Sequence, residues 1–153
     1  MDARERYFWD LTGYLVVKGV LSKEEIEQTN EIVDRYSDRV KVGGSTARDS
    51  VSFAGTGRPM LPGILEFPKP DCDPFHNMLA HPAVVSRLNV MCGKGFRLDH
   101  GPMLIVSPKG TAGHTMHGNG DPHRPHVAYH HQNGVTWVGG VTVAWQLHDC
   151  KEG

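Results

Sequence analysis

The 153-residue sequence predicts an α+β fold, helices first and antiparallel strands after. Three observations lead there. Apolar residues recur at helical spacing through much of the first 95 residues, whereas from Phe96 onward they fall in short alternating or β-branched runs. Asn133-Gly134 stands between two such runs, the strongest short signal for an antiparallel hairpin. Helices followed by a series of strands, without strict alternation, is the α+β order. The length fits one domain over 1–153, with a helical part at 1–95 and the first sheet strands at 96–153. Such a chain buries roughly 68–70% of the surface it exposes when unfolded.

Tyr7, Phe8 and Leu11 sit at helical spacing and predict a short amphipathic helix over 2–11, stopped by Thr12-Gly13. The β-branched run from Tyr14 to Val20 predicts a strand. Ser22-Lys-Glu-Glu25 has the form of a capping box, and Ile26, Thr29, Val33 and Tyr36 follow on one face of a helix to about residue 38. Glycines and prolines break the pattern between Lys41 and Asp73, leaving short strands near Val51–Phe53 and Ile64–Phe67. Phe75–Leu79 and Pro82–Met91 then read as consecutive helices, the second ended by Gly93. Strands are expected at Met103–Val106, Thr115–His117, Val127–Gln132, Val135–Gly139 and Gly140–Leu147.

Sixteen basic residues against 17 acidic ones leave no broad field for nucleic acid or an anionic membrane. No window approaches the ~20 apolar residues of a membrane span, and the charged start lacks the apolar core of a secretory signal. A cytoplasmic protein is expected, acting on a small molecule. Cys72, Cys92 and Cys150 share no short spacing, so neither a disulfide framework nor a cysteine-based zinc site is indicated. Ten histidines are present, and seven of them follow residue 113.

The stretch that organises the chemistry is Gly101 to Asn119, a strand, a Gly/Pro break, and a second strand ending in His117 and Asn119. The His-x-Asn spacing places both side chains on one face of an extended strand. Two convergent donors at the lip of an apolar strand suit a metal. Asn119 reads equally as an Asx turn closing the strand, and Asp121-Pro122 as a turn start. His123, His126, His130 and His131 form a second imidazole group, though alternation puts His130 and His131 on opposite faces, away from a common ion.

Phe8-Trp-Asp-Leu-Thr-Gly-Tyr-Leu-Val-Val-Lys-Gly-Val-Leu-Ser22, Met103-Leu-Ile-Val-Ser-Pro-Lys-Gly110, His114-Thr-Met-His117-Gly-Asn119 and Val143-Ala-Trp145-Gln-Leu147 occur in this order. Together the chain resembles the phytanoyl-CoA dioxygenase family of Fe(II)/2-oxoglutarate oxygenases. The resemblance implies a double-stranded β-helix (a jelly roll, cupin-like) buttressed by the N-terminal helices. It implies His117 as the first iron ligand, and Met103 and Trp145 as walls of the 2-oxoglutarate pocket. Asn119 stands where the family has a carboxylate, and Asp121 is the nearest carboxylate that could replace it. Some relatives carry a small residue there and admit halide, so hydroxylation and halogenation both stay open.

The family's distal His and its Arg or Lys for the 2-oxoglutarate carboxylate lie on strands beyond the one that Val143–Leu147 and Asp149 resemble, which ends in a turn of Asp/Gly type. Gly153 precedes them, so the expectation is a C-terminally truncated chain that is not a competent oxygenase by itself. Two other classes fit the same residues. One is a non-catalytic relative acting as an interaction module and self-associating through an open sheet edge after Leu147. The other is a Zn- or Ni-binding protein built on the late histidines.

Overall fold

The computed structural model describes residues 1–43, 58–106 and 124–149, and all structural statements concern these. The expected strands at Val51–Phe53 and Thr115–His117 lie outside them. The architecture is α+β: four α-helices, a three-stranded antiparallel sheet and a two-stranded hairpin. The chain divides into two compact units, one holding residues 1–26, 79–97 and 124–149, the other 27–43, 58–78 and 98–106.

In the first unit, helix α1 covers Ala3–Thr12. Asp2 caps it by accepting the Glu5 amide at 2.7 Å, while the Glu5 carboxylate takes the Asp2 amide at 3.1 Å. This reciprocal pair satisfies two of the orphan amides of the first turn. Gly13 ends the helix at φ 76°, a left-handed conformation that costs glycine little. The apolar face differs from the expectation. Trp9 is the residue buried, whereas Tyr7, Phe8 and Leu11 are exposed, with Phe8 meeting Tyr14 edge to face at 5.6 Å.

Helix α4, Pro82–Met91, begins with proline at its first position, where the missing amide is not needed. The His81 imidazole caps it, with Nδ1 accepting the Ala83 amide at 3.2 Å. Arg87 of α4 forms an ion pair with Glu5 of α1, so one carboxylate both caps its own helix and binds the neighbouring one. The guanidinium holds the Glu5 carboxyl below its usual range.

Strands β4 (Tyr129–Gln132) and β5 (Val135–Val138) form the hairpin expected at Asn133-Gly134. Both turn residues have positive φ, 54° and 75°, as a type I′ turn requires. A 3₁₀ turn at Pro125–Val127 leads into it, and the Gly139 amide donates to the Ala128 carbonyl at 3.1 Å. A Cβ at Gly139 would lie 1.8 Å from the His126 carbonyl oxygen, so the backbones meet closer than any side chain permits.

The second unit holds most of the buried residues among those described: all except Trp9, Met91 and Thr136. Helix α2, Lys23–Arg35, carries the expected capping box, with Glu25 taking the Ser22 amide at 2.7 Å and Ser22 taking that of Glu25 at 3.1 Å. Thr29, Ile32 and Tyr36 are its buried stripe. The α-helix ends at Arg35, before the expected residue 38, and tightens into a 3₁₀ turn at Ser37–Arg39.

Strands β1 (Lys41–Gly43), β2 (Arg58–Leu61) and β3 (Leu104–Ile105) pair in that order, with Val42 opposite Pro59 and Leu61 opposite Leu104. Two of them fall in the segment whose prolines argue against strands. Pro59 lies opposite Val106, just past the end of β3, so its missing amide costs no bond of that ladder, while its carbonyl accepts the Val106 amide at 3.0 Å. Leu61 in the central strand is fully buried.

Three expected strands are absent. Tyr14–Val20 and Gly140–Leu147 join no ladder, and Ile64–Phe67 is a turn. Alternation shows that a segment could lie on a sheet, but strand formation depends on the neighbour it meets. Here Tyr14, Val16 and Val17 remain exposed. Among the described residues, Gly140–Leu147 is therefore not part of a sheet. No helix among the described residues is long and apolar enough to cross a membrane.

Gly139→Ala should destabilise the protein by roughly 1–3 kcal/mol, the usual cost of forced overpacking. Gly101→Ala, where an added Cβ meets nothing within 4 Å, should leave the denaturation midpoint nearly unchanged. Equal midpoints for the two variants would contradict the close approach at Gly139.

Candidate functional site

In the second unit, the end of α2 and the turn before α3 (Asp73–Leu79) are joined by one carboxylate. Asp71 accepts Arg35 Nη1 at 2.6 Å and the Tyr36 hydroxyl at 2.8 Å. The turn itself is fixed by the Asp71 amide on the Pro68 carbonyl at 2.8 Å and the Asp73 amide on the Pro70 carbonyl at 3.0 Å. The Tyr36 ring stacks on Phe67 with centroids 4.0 Å apart, and Phe67 meets Phe75 of α3 edge to face at 6.0 Å. Arg39 lies over the Tyr36 ring, 4.6 Å from its centroid, where a guanidinium is attracted by the π face.

These contacts shift both titrating groups. The Tyr36 hydroxyl, and after it Arg35, hold the Asp71 carboxyl below the ordinary carboxylate range. The bond to Asp71, with burial adding to it, pushes the Tyr36 phenol above its ordinary value.

Immediately after this lock come Cys72, Asp73 and His76. The His76 amide donates to the Cys72 carbonyl at 3.1 Å, so one helical turn sets the two side chains on the same face. Cys72 Sγ lies 3.8 Å from Asp73 Oδ1, and one donor atom from each of the three residues falls within 4.8 Å of the others. The group runs from interior to surface: Cys72 is 4% exposed, Asp73 is half-buried and His76 is exposed. Lys69 Nζ reaches Asp73 Oδ1 at 3.7 Å from the solvent side. Sequence reasoning passes over this group because it looks for cysteine pairs. The signal available was a Cys and a His four residues apart, with an Asp between them, at the start of a helix.

The residues singled out from the sequence fall elsewhere. His117, Asn119 and Asp121 lie outside the described residues. Met103 belongs to the second unit and is exposed. Trp145 belongs to the first unit, half-buried, and meets the α4-capping His81 edge to face at 5.7 Å. Of the late histidines, His130 stacks on Trp137 at 5.5 Å and places Nε2 2.7 Å from the Pro125 carbonyl. His131 places Nδ1 2.9 Å from the Thr136 hydroxyl. Each ring is engaged with its own cross-strand neighbour, consistent with opposite faces. Cys92, at the end of α4, has its thiol pushed up by burial.

No family model, curated protein or solved structure matches the chain.

The Asp71 lock sets a pH window for stability. Asp71 is depressed on folding, so its contribution is present above the unfolded value of about 3.9 and is lost as pH falls through the folded one. Tyr36 is raised on folding, so its contribution is present below about 10 and is lost as pH rises through the folded value. Melting temperature against pH should therefore decline at both extremes. Tyr36→Phe should remove the alkaline decline attributable to this phenol and shift the acid one to higher pH. A Tyr36→Phe profile parallel to wild type throughout would show that the lock does not control stability.

Proposed function

We propose that the chain belongs to the Fe(II)/2-oxoglutarate oxygenases of the phytanoyl-CoA dioxygenase type, its helices and sheets being those of a helix-buttressed jelly roll. The supporting observation is one of order. Two capped helices come first, and a sheet strand at Leu104–Ile105 stands before the His114–Asn119 stretch in the sequence. Of the stretches that carry the resemblance, the capped N-terminal helices and the strand within Met103–Val106 are present, whereas Tyr14–Val20 and Val143–Leu147 form no strand.

The donor set fits a ferrous ion as far as it extends. Imidazole from His117 and a carboxylate from Asp121 are donors that non-haem iron accepts, while the Asn119 amide carries no charge to balance the ion. When bound, the iron and 2-oxoglutarate supply the oxidising power for O₂-dependent hydroxylation or halogenation of a small molecule. The chain's part would be to hold the ion through the His117 imidazole. The late-histidine zinc or nickel reading is weaker, because His130 and His131 are each engaged within the hairpin.

Anaerobic Fe(II) titration with 2-oxoglutarate present tests the reading. His117→Ala should weaken iron binding by more than the about 10–100-fold that loss of an outer-shell partner costs. Asn119→Asp should strengthen it by restoring a charged donor. Iron affinity unchanged in both variants would overturn the proposal. Succinate release on admitting O₂ separates an active oxygenase from a non-catalytic relative.

A further inference from the structure

We propose that Cys72, Asp73 and His76 form a three-ligand site for a borderline divalent transition metal of the zinc class, distinct from any iron held by His117. A thiolate, a carboxylate and an imidazole together suit Zn²⁺ or Co²⁺ and are poorly suited to Mg²⁺ or Ca²⁺, which take oxygen donors.

Distance comes next. At zinc bond lengths of about 2.0–2.3 Å, tetrahedral ligand atoms lie roughly 3.3–3.8 Å apart. Cys72 Sγ and Asp73 Oδ1 already stand at 3.8 Å, and no separation in the group exceeds 4.8 Å. Closing the remaining gap falls to His76, the exposed member, whose ring can rotate without disturbing the core.

Cys72 is held between the Asp71 carboxylate, tied to Arg35 and Tyr36, and the buried anchor Phe75. Its sulfur is therefore positioned before any ion arrives. A bound ion would displace Lys69 from Asp73, a small loss for an exposed pair at 3.7 Å. On binding, the thiol proton passes to solvent and the S–metal bond replaces S–H, so affinity should rise with pH. Three protein donors with His76 at the surface leave the fourth position to solvent, the arrangement of open rather than closed zinc sites.

Co²⁺ titration of the full chain under reducing conditions provides the test. The expected result is a thiolate-to-cobalt charge-transfer absorption in the near ultraviolet that saturates at one thiolate-bound ion per chain. His76→Ala should weaken that binding by at least about tenfold. Because His76 is exposed, this variant should keep the wild-type circular dichroism. Cys72→Ser should abolish the charge-transfer band, and Cys92→Ser should retain it. Absence of the band in wild type, its survival at unchanged affinity in His76→Ala, or its loss in Cys92→Ser would each overturn the proposal. A His117-centred iron site has no sulfur donor and gives no such band, so the two readings fail independently.

Discussion

The constraint on which the second unit depends is the neutralisation of one buried carboxylate. Asp71 is among the buried residues, and a carboxylate there is tolerable only when paired and fully hydrogen-bonded. Arg35 supplies the charge and Tyr36 the second donor, both from the last turn of α2 and the residue after it. Truncating either partner would leave a buried anion short of donors, which is costlier than never having built the pair. The arrangement also fixes direction. It binds the end of one helix to the beginning of the next, and the stack of Tyr36, Phe67 and Phe75 fills the space between them. The donors of Cys72, Asp73 and His76 owe their positions to that junction.

The first unit is organised differently, with fewer buried side chains and more backbone closure. Glu5 joins α1 to α4 through Arg87. The hairpin is closed by its turn and by the contact of Gly139 with the 3₁₀ turn before it. His81 illustrates how one imidazole is used twice, its nitrogen capping α4 while its ring supports Trp145. Such reuse of polar groups gives definition where the apolar core is small.

Much of the helical half was legible because helix signals are local. The Ser22/Glu25 box, Pro82 at a helix start, and Gly13 and Gly93 past helix ends all act within a few residues, and the structure has them in those roles. Asn133-Gly134 was legible for the same reason. Strands at Tyr14–Val20 and Gly140–Leu147 were misread because their alternation says nothing about a partner, and the partner decides. Conversely, β2 was hidden by Pro59, whose harmlessness depends on where β3 stops. The Asp71 junction links residues 35 and 36 apart in sequence, and no periodicity announces it. Trp9 shows a smaller failure of the same kind: helical spacing located the apolar residues of α1 but not which of them faces inward.

The two described cysteines occupy unlike surroundings, and this bears on their reactivity. Cys92 sits at the end of α4, where partial burial pushes its thiol up. Nucleophilic attack by a thiol proceeds through the anion, so at neutral pH this sulfur presents little of its reactive form. Alkylating reagents and peroxide should find it a sluggish target.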